Sequence, residues 1–184
     1  MGRTETYVSK SRELGGDILI FVTVGTHEEQ FDRLIKEIDE LAQERYLTDK
    51  IHVQTGYSKY ELKNLQSKKM YTYKEMDCLY NEANIIITHG GPASIFSAIS
   101  RGKVPIVVPR NPEYGEHVDN HQIKFCEYME KKKKVIAVYD IKDLRKKILE
   151  YDNLTKDFDI SNSNNKKEFI NKLMEYMNHI KAKS

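Results

Sequence analysis

The chain has 184 residues, 39% of them hydrophobic, and its 30 Lys and Arg against 28 Asp and Glu leave a formal net charge of +2. That length suits a single domain with a core of its own, and the near balance of charge argues against a dedicated nucleic-acid binder, which carries a strongly basic face. No apolar run reaches the ~20 residues of a membrane-spanning helix, no charged-then-apolar leader opens the chain, and Cys78 and Cys126, with no CxxC spacing, are expected to be reduced core thiols of a cytosolic protein.

Residues 1–16 are polar, end in Gly-Gly and read as a tail outside the fold. The run DILIFVTVG (17–25) is β-branched and ends at glycine, which predicts a buried strand. Phe31, Leu34, Ile35, Ile38, Leu41 and Ala42 then share one helical face. Strands are predicted at 50–56 and, shorter, at 68–74, followed by a helix over 75–83. NIIITHG (84–90) is another buried strand. The next helix, 92–102, has Pro92 near its first position and Gly102 past its end. A strand at 103–109, a helix at 117–131, a strand at 134–140 and a helix at 141–151 complete a domain spanning 17–152. A polar linker (153–165) leads to an amphipathic helix in 166–184, with Phe169, Ile170, Leu173, Met174, Met177 and Ile180 along one stripe. Strands alternating with helices predict an α/β fold: a Rossmann-like, mostly parallel sheet with helices on both faces.

Ligands of such sheets bind beyond the carboxyl ends of the strands, and three strand ends carry unusual residues. VTVGTHEEQF places Gly25, Thr26 and His27 after the first strand, at what reads as a helix start. THGGPAS places His89, Gly90, Gly91 and Ser94 around a second helix start. Glycines admit a ligand to backbone amides, and helix N-termini favour anions, phosphate above all. Thr26 and Ser94 add hydroxyls, and His89 adds a ring N–H that is a cation if protonated. VVPRNPEYGEHVDNHQ, a long loop after the strand PIVV, is the third. There is no GxxxxGK[ST] and no GxGxxG after the first strand, which argues against a P-loop NTPase and a dinucleotide-binding domain. No Asp-x-Asp and no metal-ligand spacing occurs, so neither metal nor cofactor is expected. His52 and His179 read as surface residues. The EKKKKV run (130–135) reads as a solvated helix end, with contact to anionic lipid as the other reading.

THGGPAS followed by GKVPIVVP and HQ resembles the donor-binding, C-terminal half of GT-B glycosyltransferases of family 28. Within it the chain resembles the Alg13-like group related to MurG, of the bacterial exopolysaccharide and capsule type (PssE-like). IFVTVGTHEEQFDRLI and PRNPEYGEHVDNHQ carry the same resemblance, which runs from about Ile18 to Asp140. It implies a hexosyltransferase that moves galactose, glucose or GlcNAc from a UDP-sugar to a lipid-linked saccharide with inversion. His89, Gly90, Gly91 and Ser94 would hold the diphosphate, Gly25 and Thr26 would face the phosphates or sugar, and Gln122, Glu116 and His121 would contact the donor sugar. His27 is the local candidate for the base, unless the base lies on a partner. Many relatives carry Glu where Ser97 stands and Asp where His121 stands, so neither ribose nor sugar recognition transfers. The resemblance also implies an Alg14-like, membrane-associated partner subunit that would hold this chain at the cytoplasmic face of the membrane, with part of the closing helix against it. Two alternatives remain: a non-catalytic donor-binding or regulatory subunit, and a sugar-nucleotide epimerase.

Overall fold

A computed structural model describes residues 18–43 and 50–158. Short β-branched runs form β1 (Leu19–Thr23), β2 (Lys50–Gln54), β3 (Ser67–Lys68), β4 (Ile85–His89), β5 (Ile106–Val108) and β6 (Ile136–Ala137). They make one six-stranded sheet in the order β3-β2-β1-β4-β5-β6, and all five pairings are parallel. The helices are α1 (Asp32–Gln43), α2 (Tyr73–Glu82), α3 (Pro92–Ile99), α4 (His121–Lys131), α5 (Leu144–Leu149) and α6 (Tyr151–Thr155).

Alternation along the strands sorts the core into two layers. Ile20, Val22, Ile85, Ile87, Ile106 and Val108 pack against Leu34, Ile35 and Ile38 of α1 and Leu144 and Ile148 of α5. From the other face, Phe21 and Ile86 meet Leu79 and Tyr80 of α2 and Ala98 of α3, while Val107 and Ala137 meet Ile95, Phe125, Cys126 and Met129 of α3 and α4. The predicted Rossmann-like sheet with helices on both faces is what forms.

Several local expectations change. The strand expected at 68–74 shrinks to Ser67–Lys68, because Thr72 caps a helix: its hydroxyl accepts from the Glu75 amide while Glu75 accepts from the Thr72 amide. The linker expected from 153 begins as helix α6 instead, with Leu154 and Phe158 packed on the core. Cys126 is buried as expected, but Cys78 is exposed, its Sγ 3.0 Å from Glu82 Oε1. Residues 1–17 and the closing amphipathic helix, with His179, lie outside the described residues. His52 is at the surface, and Lys131–Lys134 stand at the end of α4, on the side of the sheet opposite the loops that follow the strands. Lys103 closes the end of α2, where its Nζ donates to the carbonyls of Tyr80, Asn81 and Ala83.

The loop between β2 and β3 is held by two aspartates of α1. Asp32 Oδ1 accepts from the amides of Lys59 and Tyr60. Asp39, fully buried, accepts from the amides of Lys63 and Asn64 at 2.9 and 2.8 Å and from the Tyr60 hydroxyl. Asp39→Ala leaves two inward-facing amides without an acceptor, and each such orphan costs about 1–3 kcal/mol. The expected result is a loss of about 2–4 kcal/mol in urea unfolding of the full chain, with little change in the exposed control Glu40→Ala.

Candidate functional site

β1, β4 and β5 are neighbours, so the loops that leave their carboxyl ends stand side by side. The strand order also reverses direction between β1 and β4, the place where open α/β sheets leave a crevice. His89, the last residue of β4, is its centre. Its ring is buried and wedged between two glycines. A Cβ on Gly25 would lie 2.7 Å from His89 Nε2, and one on Gly91 would lie 2.8 Å from His89 Cδ2, so neither position admits a side chain. Gly25 also takes φ 74°, where only glycine is unstrained. Gly90 is equally constrained from the other side, since a Cβ there would lie 2.8 Å from Gln122 Cβ. The three loops therefore meet through glycine, imidazole and glutamine with no space wasted.

Gly91 is the N-cap of α3 and brings no side chain to cap it, and Pro92 occupies the first turn. The amides of Ala93 and Ser94 thus open the helix without a side-chain acceptor, an arrangement that favours an anion. Ser94 is half-buried with its hydroxyl beside the Tyr80 phenol. Gln122 is buried at the start of α4, and its Oε1 accepts from the Arg110 amide at 3.2 Å, which leaves its NH2 group as the free donor. Gly25, His89, Gly90, Gly91 and Gln122 are brought together as the motifs imply, with Ser94 one helical turn into α3.

Four expectations are corrected. Thr26 and His27 are exposed in a loop and do not open a helix: α1 starts at Asp32, with the Asp32 amide capped by Gln30 Oε1 at 2.7 Å. The chain cannot coil sooner because the carbonyls of Val24, Glu29 and Gln30 are turned onto Arg110. Glu116 is not open to a sugar. It is 1% exposed, and its carboxylate accepts two bonds from Arg33 (both 2.9 Å) and one from the Asn111 amide (2.9 Å). His89 is not a cation. Burial first, and then the nearby Arg110 charge, pull its imidazole from the usual 6.5 to about 3, and a hydrogen bond to the Thr23 backbone opposes them only in part. Finally, α4 begins at His121, not at residue 117, and the four residues before it are loop.

Sequence reasoning missed Arg110, Arg33, Glu29, His117 and Asp119. His27 Nδ1 faces the Glu29 carboxylate, and its ring lies 4.8 Å from that of His117. Asp119 in turn reaches His117 Nδ1 at 3.2 Å and His121 Nδ1 at 3.0 Å. Three imidazoles, those of His27, His117 and His121, thus have a carboxylate at Nδ1, which orients the ring. The signal is present in the strings THEEQ and HVDNHQ, where each acid stands two residues from a histidine. Among the described residues no cluster of His, Cys, Asp and Glu fits a metal ion.

The state of His89 has a measurable consequence. Its folded pKa lies below the unfolded value, so the unfolded chain binds the extra proton between pH 6.5 and about 3. Stability contributed by the neutral ring is complete above pH 6.5 and is lost as pH falls through that window, with a slope of up to about 1.4 kcal/mol per pH unit. In urea unfolding across this range, His89→Asn is expected to show a flatter dependence than the native chain; parallel curves would refute the buried neutral ring.

Three kinds of comparison bear on this geometry. The domain described as "Glycosyltransferase family 28 C-terminal domain" matches residues 19–178. No curated protein matches the chain. Among solved structures, the chain is similar to the glycotransferase of kitacinnamycin (17% identity, TM-score 0.56, covering 78% of this chain and 36% of that one). It is similar to MurG of Acinetobacter baumannii (17% identity, TM-score 0.54, 80% and 45%) and to the solution structure of ALG13 (15% identity, TM-score 0.52, 77% and 88%). The chain therefore spans less than half the length of the first two, and at these identities the likeness is one of fold: a Rossmann-like α/β domain shared with these proteins. With the domain match running over most of its length, the chain belongs to the glycosyltransferase family 28 C-terminal domain family.

Proposed function

We propose that this chain is the donor-binding and catalytic subunit of an inverting glycosyltransferase that takes a hexosyl group (galactose, glucose or GlcNAc) from a UDP-sugar to a lipid-linked saccharide. The observation that carries this reading is the corner where Gly25, His89 and Gly91 interlock beneath the uncapped first turn of α3. Helix-opening amides that no side chain caps suit a diphosphate. The amides of Ala93 and Ser94 and the Ser94 hydroxyl bind it, and the NH2 group of Gln122 meets a hydroxyl of the sugar. His89 acts as a neutral spacer that sets the two glycine loops at a fixed distance.

In the transfer step, the acceptor hydroxyl gives its proton to His27 Nε2, while Glu29 holds the opposite ring nitrogen. The acceptor oxygen forms a bond to the anomeric carbon as the bond from that carbon to the UDP oxygen breaks. The electron pair leaves on the β-phosphate, where fixed amides and the helix dipole meet the growing charge. Losing one such preorganised donor typically raises a barrier by ~2.7–4 kcal/mol. We assign the acceptor-binding half to an Alg14-like, membrane-associated partner and the product to exopolysaccharide or capsule assembly, on the strength of the sequence resemblance. Among the described residues no helix is long and apolar enough to cross a membrane.

The reading is tested first by thermal shift of the full chain against UDP, UDP-galactose, UDP-glucose and UDP-GlcNAc. A true ligand at 100 times its dissociation constant adds about 2.7 kcal/mol of stability, and Ser94→Ala is expected to reduce that gain. No shift with any of the four would overturn the proposal. With the partner present, His27→Ala is expected to lower transfer by roughly 10²–10⁴-fold while UDP affinity stays unchanged. Unreduced transfer would move the base to the partner.

A further inference from the structure

The largest side chain sealed inside the domain is a cation. Arg110 follows β5 and is 0% exposed. Its Nη1 donates to the carbonyls of Glu29 (3.0 Å), Gln30 (2.9 Å) and Glu116 (3.1 Å), and its Nη2 to that of Val24 (3.0 Å). The guanidinium lies 4.7 Å from the Phe31 ring centroid. Its Nε is buried without a hydrogen-bonding partner, and no carboxylate stands within ion-pair distance of it among the described residues.

The carboxylates whose charge reaches Arg110 are Glu116 and Glu29, and each is already engaged. Glu116 is the bidentate partner of Arg33. Glu29 faces His27. Carbonyl oxygens solvate a buried guanidinium but do not neutralise it. A cation left this way is expensive to bury, and folds ordinarily give it a carboxylate. Burial indeed lowers the pKa of Arg110 from its ordinary value, though a guanidinium stays charged at any physiological pH.

The position of this charge is informative. Val24, one of the four carbonyl partners, immediately precedes Gly25. The Arg110 amide binds Gln122, which packs on Gly90. The Arg110 charge is also felt at His89, the ring between Gly25 and Gly91. The same residue thus lies behind all three loops, and its field reaches the corner from below, through protein and not through water, where screening is weak.

We propose that Arg110 is the buried countercharge of the diphosphate: a permanent cation with no carboxylate in ion-pair contact, whose field makes the corner at the start of α3 favour phosphoryl groups over neutral ligands. It touches no ligand. It acts through space and by holding the loop of Val24 and the side chain of Gln122, so it is a positioning and specificity-determining residue. This rests on the donor-site reading above and adds to it the origin of the site's anion preference.

The test compares uridine, UMP and UDP by calorimetric titration of the full chain. Native protein is expected to bind each more tightly than the one before. In Arg110→Met, which keeps the bulk and drops the charge, UDP is expected to weaken by about 10-fold or more while uridine stays within about threefold. An equal loss for all three ligands, or an unchanged gain per phosphate, would overturn the proposal and leave Arg110 a structural clamp. Should Arg110→Met not fold, Arg110→Lys decides, because it keeps the charge and loses the fork to the carbonyls. A retained gain per phosphate supports the field, and a lost gain refutes it. Native protein that binds none of the three ligands removes the donor-site reading and this proposal together, whereas native binding with a variant unaffected removes only the latter.

Discussion

Four backbone carbonyls, from Val24, Glu29, Gln30 and Glu116, converge on one guanidinium. The loops after β1 and β5 are therefore not free segments that happen to lie near one another. They are joined through Arg110, and the loop after β4 is added to them by the contact of Gly90 with Gln122. A second guanidinium, that of Arg33, repeats the device on a smaller scale by tying α1 to Glu116 and to the Pro109 carbonyl. Sites built on loops are ordinarily less exact than sites on strands and helices. Here one buried and one partly buried arginine give loop backbone the fixity of a secondary element.

That arrangement divides the chemistry between two layers. The lower layer consists of Arg110, Glu116 and a neutral His89, all enclosed, with the mostly buried Arg33 beside them. The upper layer consists of the α3 amides, Ser94, Gln122 and the partly exposed pairs His27–Glu29 and His121–Asp119. Most polar groups of the lower layer meet protein partners, as buried groups ordinarily do, with Arg110 Nε and Arg33 Nη1 as exceptions. In the upper layer, the α3 amides have no side-chain cap and the Gln122 NH2 group keeps a donor open. The distinction separates Glu116 from Gln122 although the two belong to one stretch of chain.

How far the sequence could reveal this follows from the same division. The strands, the helix faces and the glycine corner are legible because hydrophobic period and turn chemistry are local, and parallel α/β topology restricts the rest. THGGPAS announces an uncapped helix start, and that is what α3 has. The departures at the site are long-range. The guanidinium groups of Arg110 and Arg33 bond to partners between 76 and 86 residues away along the chain, apart from the Arg110 bond to Glu116, so no window of sequence shows their role. His89 reads as a cationic ligand in a string but is pulled down to a neutral spacer by a burial that only the assembled sheet supplies. The third strand is shorter than its string suggests because the TYKEM tail favours a capped helix once Thr72 and Glu75 pair reciprocally.

The wedge of His89 between Gly25 and Gly91 has a bearing on how this corner can vary. A β-carbon at either glycine collides with the ring, and a smaller residue at 89 leaves a void between two bare backbones. Each change alone is harmful, yet a smaller residue at 89 makes room for a side chain at 25 or 91. Such positions in contact are strongly non-additive. The three codons form one epistatic unit, and the route from this corner to a differently shaped one passes through paired replacements instead of single steps.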